Sequence, residues 1–274
     1  MITETAPAKI NLALHVRARR ADGYHELETL FAFVTDGDTV TLEPGPLSLT
    51  ITGPFGAGLR AEDDNLVLRA ARAFAQRYGL DVAGAFTLDK HLPVASGIGG
   101  GSADAAAALR ALARLNGIAI DDPALFDIAA TLGSDVPACL LGRTALGQGR
   151  GERLAPLDGP SGMPALLVNP GVAVSTAAVF KAWDGADRGA MPDGDVLAVA
   201  LAARNDLEPP ARKLAPEIDA VLDLLAMPAP ILARMSGSGA TCFALYASAA
   251  DRAAAATRIR TAQPAWWCLE TRLA

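Results

Sequence analysis

The sequence predicts an α+β protein built from two small domains, residues 1–156 and 157–274. Strand and helix patterns are mixed along the chain without a strict βα alternation, which argues against a doubly wound sheet. A length of 274 residues is long for one compact domain and natural for two that share a cleft. Residues 157–163, Leu-Asp-Gly-Pro-Ser-Gly-Met, have linker composition.

The elements follow in order. Residues 9–16 read Lys-Ile-Asn-Leu-Ala-Leu-His-Val. Ile10, Leu12, Leu14 and Val16 alternate with Lys9, Asn11, Ala13 and His15, a period of two that means a strand with one buried face. The open face then presents Lys9 and Asn11 side by side. Asp22-Gly23 marks a turn. Residues 27–34 read as the next strand, and 40–52 as further strand broken by Pro44-Gly45-Pro46. Asp63-Asp64-Asn65 precedes a helical pattern over 66–78, which Gly79 closes. A short strand at 86–88 leads to a glycine-rich run. A long helix then reaches Asn116 and stops at Gly117. Residues 123–132 form a second helix, and a turn at 133–137 leads to another short one. Beyond the linker come a strand at 165–168, an exposed loop at 184–194, and helices near 195–203 and 216–226. A Gly/Ser loop at 235–241, an apolar strand at 242–246, a helix at 251–261 and a strand at 266–271 complete the chain. There is no internal repeat.

Hydrophobic residues make up 51% and charged residues 20% of the chain, enough apolar content for a sizeable core. The formal net charge of −6 argues against a nucleic-acid partner, whose affinity comes from Lys and Arg that neutralise phosphates. Cys139, Cys242 and Cys268 are widely spaced, and with His15, His25 and His91 they show no zinc pattern. Reduced thiols fit a cytoplasmic protein. No basic stretch followed by an apolar core opens the chain, and no run approaches the roughly 18–20 apolar residues that span a bilayer, so no membrane partner is expected.

The strongest chemical feature is the run Pro93, Val94, Ala95, Ser96, Gly97, Ile98, Gly99, Gly100, Gly101, Ser102, Ala103. Four glycines among five residues let backbone amides approach a ligand closely. The run enters a helix N-terminus, where free N–H groups and the macrodipole favour an anion. Ser102 can cap that helix, or turn its hydroxyl to a phosphate or a magnesium ion. A Walker A loop would end in Gly-Lys-Ser/Thr, and a dinucleotide fingerprint would place Gly where Ser102 stands, so neither fits. Three weaker features accompany it. A Lys such as Lys9 on a strand face is usually solvated. An Asp such as Asp135, in Gly-Ser-Asp-Val-Pro, is more often an N-cap than a base. Residues 235–241, Met-Ser-Gly-Ser-Gly-Ala-Thr, read as a plain hairpin turn or a second wall beside phosphates.

Together these four features resemble the GHMP kinases, the family of galactokinase and the homoserine, mevalonate and phosphomevalonate kinases. Pro7-Ala8-Lys9-Ile10-Asn11-Leu12, Asp22-Gly23-Tyr24-His25, residues 93–106, residues 133–137 and Ser236-Gly237-Ser238-Gly239 are similar to the branch that acts on a cytidine diphosphate-linked methylerythritol. The triple glycine before Ser102 and the Asp-Gly-Tyr-His segment separate that branch from its relatives. The likeness extends from residue 7 to about 245.

The resemblance implies an N-terminal ribosomal S5 domain 2-like half and a C-terminal ferredoxin-like half, with ATP and a small-molecule substrate in the cleft between them. It implies ATP-dependent phosphorylation of the substrate's 2-hydroxyl, a step of the non-mevalonate route to isoprenoid precursors, with Mg2+ as the accompanying ion. It puts Asp135 at the base position with Lys9 beside it, and an Asp near a Lys ammonium stays ionised at neutral pH. The amides of residues 97–102 would hold the ATP phosphates, Ser102 would contact the metal, and Asn65 would face the nucleotide base. Tyr24 would stack on the cytidine end and His25 would hydrogen-bond it. Asn11 and Phe31 would line the substrate pocket, with Thr176 and Phe180 closing it. A monomer or homodimer is expected. Competing readings are another small-molecule kinase of the family, a non-catalytic nucleotide-binding protein of this fold, and an RNA-binding protein, against which the acidic balance counts.

Overall fold

A computed structural model describes residues 1–59 and 64–274. Asp63, placed by the sequence pattern just ahead of a helix, lies outside the described residues. The chain forms two compact units, each assembled from separate stretches of sequence: Met1–Ala8, Asp36–Val94 and Gly99–Gly142 in the first, and Lys9–Thr35, Ala95–Ile98 and Arg143–Ala274 in the second. Residues 156 and 157 both belong to the second.

Two long strands, β1 (Ile2–Arg19) and β2 (His25–Pro46), contribute to both units. The strand expected at 27–34 and the first part of the one expected at 40–52 are joined in β2, which runs through Asp36-Gly37-Asp38, while residues 48–52 form a separate strand. Gly37 permits the joining, because a Cβ there would lie 2.0 Å from the Ala6 carbonyl oxygen. In the first unit, β2 pairs antiparallel with β4 (Ala83–Asp89), aligning Thr39 with Asp89. β4 in turn pairs parallel with β3 (Ser48–Thr52). A parallel pair needs a crossover, and α1 (Leu66–Tyr78) supplies it. Asn65 caps α1 by accepting from the Val67 amide at 3.0 Å, and Gly79, at φ +65°, ends it.

The helix α2 (Gly100–Leu115) buries almost every residue from Ala103 to Ala113. Its alanines let α1 and α4 (Val136–Leu141) pack closely on it, with α3 (Pro123–Leu132) beside α1. Arg110 of α2 ties the helix to β1 through Glu4 at 3.1 Å and the Thr5 carbonyl at 2.6 Å.

In the second unit, β1 turns into β2 through a tight loop. The Arg20 amide donates to the Tyr24 carbonyl at 2.8 Å, and Gly23 takes φ +86°. The start of β2 pairs with β5 (Ala145–Gly149), and β5 with β6 (Arg153–Pro156), a hairpin whose short strands gave too little alternation to be seen in the sequence. The rest is an antiparallel sheet in the order β10-β7-β9-β8, formed by β7 (Pro164–Asn169), β8 (Leu232–Met235), β9 (Cys242–Leu245) and β10 (Trp267–Arg272). The chain visits these strands as β-α-β-β-α-β, the ferredoxin-like arrangement that was expected. Helices α5 (Thr176–Ala182), α6 (Val196–Ala202), α7 (Glu208–Leu214) and α8 (Glu217–Leu225) fill the first crossover, and α9 (Ala249–Ala262) the second. Of these, α5 and α7 were not foreseen. A core of Leu166, Val168, Ile218, Val221, Cys242, Ala244 and Ile259 also takes in Leu14, Val16 and Leu27 from the two long strands.

Candidate active site

In the second unit, one polar cluster grows out of β1. Its alternation is right, but the face carrying Lys9 and Asn11 is not open: Lys9 is 3% and Asn11 2% exposed. Burial is tolerated because the polar atoms are paired in sequence. The Thr29 hydroxyl donates to the Ala13 carbonyl at 2.9 Å, so its oxygen accepts from Asn11 Nδ2 at 2.7 Å. That fixes the carboxamide with Oδ1 toward Lys9, whose Nζ donates to it at 2.8 Å. Lys9 Nζ also stands 5.6 Å from the centre of the Phe31 ring. Phe31 is itself 1% exposed, which makes it a floor beneath the ammonium rather than an open wall.

Residues 95–98 are bound to this cluster. The Lys9 amide donates to the Ile98 carbonyl at 3.0 Å, and the Thr241 amide to the Ser96 carbonyl at 3.1 Å. Ser236 accepts from the Asn11 amide and donates its hydroxyl to the Gly97 carbonyl, both at 3.1 Å. A Cβ on Gly97 would lie 2.6 Å from the Gly239 carbonyl oxygen, and one on Gly237 would lie 3.1 Å from Asn11 Oδ1 and 3.7 Å from Lys9 Nζ. The 236–239 turn is therefore a wall pressed against the first glycine. Asn205, which the sequence reading passed over, holds that wall by donating to the Met235 and Gly237 carbonyls, both at 2.8 Å. Ala95 at φ +53° is the one non-glycine with positive φ among the described residues, a local strain of the kind found at ligand sites.

The same turn leads to an aromatic cluster. Ser238 shares a hydrogen bond of 2.9 Å with Thr176 at the start of α5. One turn later, Phe180 packs on the His25 ring with centroids 4.7 Å apart. Trp183, also missed from sequence, meets His25 edge-on at 5.7 Å. Burial, with the Arg19 charge second, holds the His25 pKa below 6.5. Its Nε2 is buried without a hydrogen-bond partner among the described residues. Tyr24 is exposed beside it in sequence, with the Arg150 guanidinium 4.8 Å from its ring.

In the first unit, Gly99 is the N-cap of α2 at φ +69° and offers no side-chain cap. Ala103 is the first residue to donate back, to the Gly99 carbonyl at 2.8 Å. Gly100, Gly101 and Ser102 form the opening turn, whose amides have no acceptor inside the helix. Ser102 thus sits within the helix and is not its cap. Pro93 is buried, Val94 exposed. Asn65 spends its carboxamide oxygen on α1. Asp135 is half-buried at the N-cap position of α4 but has helical backbone angles and makes no capping bond, so the ordinary structural use of an Asp there is not the one adopted.

Beside α2 lies a buried cluster that sequence reasoning did not find. Lys90, 3% exposed, bonds Asp38 Oδ2 and, at 2.8 Å, Asp104 Oδ2. Burial lowers the Lys90 pKa, but the two carboxylates outweigh it and the net direction is upward. Burial raises the Asp104 carboxyl to about 7, against the pull of Lys90. Partners 14 and 52 residues apart leave no local pattern. One signal existed: Asp104 is a charge inside an otherwise apolar, buried alanine run.

Comparison with known proteins shows the family. Residues 65–143 match the GHMP kinases N terminal domain and residues 188–265 the GHMP kinases C terminal domain. A protein of Rhizorhabdus wittichii named 4-diphosphocytidyl-2-C-methyl-D-erythritol kinase is 58% identical over 99% of this chain and 94% of its own. One of that name from Methylorubrum extorquens is 53% identical over 100% of this chain and 99% of its own. The crystal structure of a 4-(cytidine 5'-diphospho)-2C-methyl-D-erythritol kinase superimposes with a TM-score of 0.80 at 37% identity, covering both chains fully. With relatives this similar along its whole length, the chain belongs to the GHMP kinase family, in its group of 4-diphosphocytidyl-2-C-methyl-D-erythritol kinases.

Proposed function

We propose that this protein transfers a phosphoryl group from ATP to the 2-hydroxyl of 4-diphosphocytidyl-2-C-methyl-D-erythritol, giving the 2-phosphate and ADP, in the non-mevalonate route to isoprenoid precursors. The observation that carries the chemistry is the buried Lys9 ammonium, aimed by Asn11 and lodged beside Gly237. A desolvated cation whose own hydrogen bonds fix its direction is a preorganised stabiliser of developing negative charge.

In this reading the open amides of Gly100, Gly101 and Ser102, with residues 97–99, hold the ATP phosphates. Pro93–Ser96 and Ala103 frame them, and Asn65 meets the base. The acceptor is a tertiary alcohol, a poor nucleophile until its proton leaves. Asp135 accepts that proton as the oxygen–phosphorus bond forms and ADP departs, while Lys9 stabilises charge on the acceptor oxygen or the moving group. Tyr24 and His25 hold the cytidine end, and the unpartnered Nε2 of His25 fits a ring whose tautomer is chosen by the ligand. Thr176 and Phe180 close that pocket, with Asn11 and Phe31 beneath. Magnesium would neutralise phosphate charge. Among the described residues no group of three His, Cys, Asp or Glu gathers to bind an ion, which fits an ion carried mainly by the nucleotide with the Ser102 hydroxyl as its protein contact.

The division at 156/157 is proposed as one of labour along the sequence: the ATP loop and Asp135 before it, Thr176, Phe180 and the 236–239 wall after it. Three cysteines that form no disulfide support a cytoplasmic location. No helix among the described residues is long and apolar enough to cross a membrane. A monomer or homodimer is proposed.

The test is an ADP-release assay with a panel of alcohols. Turnover is expected with the cytidine diphosphate-linked alcohol and not with homoserine or mevalonate; the reverse preference would overturn the reading. Asp135→Asn should cut turnover about 10²–10⁴-fold, the usual share of general-base catalysis, with ATP affinity little changed. A variant with wild-type turnover removes Asp135 from its role.

A further inference from the structure

The buried cluster of Lys90, Asp38 and Asp104 has no part in the chemistry above, yet it stands where the glycine loop begins and ends. Asp38 Oδ1, on β2, accepts from the amides of His91 and Leu92 at 2.5 and 2.8 Å, fixing the backbone just before Pro93. Lys90, in that same incoming stem, reaches across to Asp104 in the first turns of α2. A Cβ on Gly100 would lie 3.0 Å from Lys90 Nζ and 3.8 Å from Asp38 Oδ2, so the first helical residue rests directly on the ion pair. Both stems of the loop are thereby tied at one point, and the tie is dry: Lys90, Asp38 and Asp104 are 3%, 1% and 3% exposed. Among the described residues Asp104 Oδ1 has no hydrogen-bond partner, so its carboxyl is held through the other oxygen, on which Lys90 donates.

We propose that Lys90 is a positioning residue for ATP: bound between Asp38 and Asp104, it sets the opening turn of α2 against the strand that feeds the glycine loop, and so fixes the amides that receive the phosphates. The inference rests on the reading of that loop as the ATP site. Lys90 does not touch the nucleotide phosphates in this account. Its ammonium is enclosed and shared by two carboxylates, and its effect passes through the backbone. Removing it leaves Asp38 and Asp104 without the cation that joins them, and the tie between α2 and residues 90–92 is lost.

The experiment measures ATP binding by calorimetry without the alcohol substrate, together with binding of the cytidine diphosphate-linked alcohol alone, in wild type and Lys90→Met. The expected result is ATP affinity weakened at least tenfold, with alcohol affinity within twofold of wild type and a raised KM for ATP exceeding any loss in kcat. A purely structural residue would instead lower the fraction of folded enzyme, and with it kcat, leaving both affinities of the folded molecules alone; that result overturns the proposal. Should Lys90→Met fail to fold, Asp104→Asn keeps the side-chain size and an oxygen for Lys90 but weakens the tie, and a three- to tenfold loss of ATP affinity is expected, with no change counting against the proposal. Wild type that binds ATP while both variants bind it equally well refutes the positioning role only. Wild type that binds no ATP refutes the loop assignment and this inference with it.

Discussion

At the scale of single residues, the site works by making each polar atom constrain the next. Thr29 commits its proton to a backbone carbonyl, Asn11 is thereby oriented, and Lys9 follows. None of this is visible in the spacing of residues 9, 11 and 29, because a two-residue period reports which face a side chain shares and not what covers that face. His25 is the counter-example, a residue of the aromatic cluster left unsatisfied. Its folded pKa lies below 6.5, first through burial and then through Arg19, so the ring is neutral at pH 7. The depressed value means that the folded protein resists protonation more than the unfolded chain does. Its contribution to stability is complete above pH 6.5 and is lost as pH falls through the folded value. His15, lowered by burial and Arg204, acts in the same direction. Asp104, raised to about 7, acts in the opposite one between pH 7 and its unfolded value. The clean readout is therefore local: imidazole titration by NMR should give a midpoint below 6.5 for His25, and KM for the cytidine-linked alcohol should rise as pH drops through that midpoint. A midpoint at or above 6.5 would contradict the described burial.

At the scale of elements, the loop from residue 93 to α2 shows two different reasons for glycine. Gly99 takes φ +69° to start the helix and Gly97 takes φ +79°, conformations that cost a side-chain-bearing residue about 1–2 kcal/mol. Gly97 is further constrained by packing, since the Ser236–Gly239 turn occupies the space a Cβ would need. The sequence reading attributed all four glycines to close approach of a ligand, and for Gly97 the nearer cause is the neighbouring turn. Gly97→Ala should therefore damage the loop before any ligand arrives. We expect a melting temperature lower by several degrees, on the order of 1–3 kcal/mol, and ATP affinity reduced at least tenfold. Wild-type melting and affinity together would show that the loop and turn are not in contact as described.

For the whole molecule, the informative feature is the path of the chain. The first strand crosses from one compact unit to the other at residues 8–9, the second strand returns at 35–36, and the glycine loop crosses twice more. Each unit is consequently incomplete without sequence from both sides of the other. Leu14, Val16 and Leu27 are buried against Leu166, Val168 and Ala244, all beyond the linker. Burying such side chains contributes about 1.5–3 kcal/mol apiece, so losing three of them approaches the 5–15 kcal/mol that typically holds a domain together. A fragment of residues 1–156 should show no cooperative thermal transition by circular dichroism, whereas the full chain should. A sharp melt in the fragment would mean that the early strands do not depend on the later sheet.

Local chemistry determined much of this in advance. Helices α1 and α3 begin and end at the predicted residues because their signals are nearest-neighbour ones: an Asn or Asp cap, a Pro at the first position, a glycine at the close of α1. The glycine run was equally legible, since backbone freedom is a property of short stretches, whereas the ferredoxin-like second half was implied by the family resemblance and not by any local pattern. What only the tertiary structure decided involves partners distant in sequence. It joined one expected strand to the first part of the next at Gly37 beneath Ala6, closed the polar face over Lys9, and paired Lys90 with acids 52 residues behind and 14 ahead. Whether a buried charge can exist at all depends on which groups the fold brings within hydrogen-bond reach, and no window of sequence contains that information.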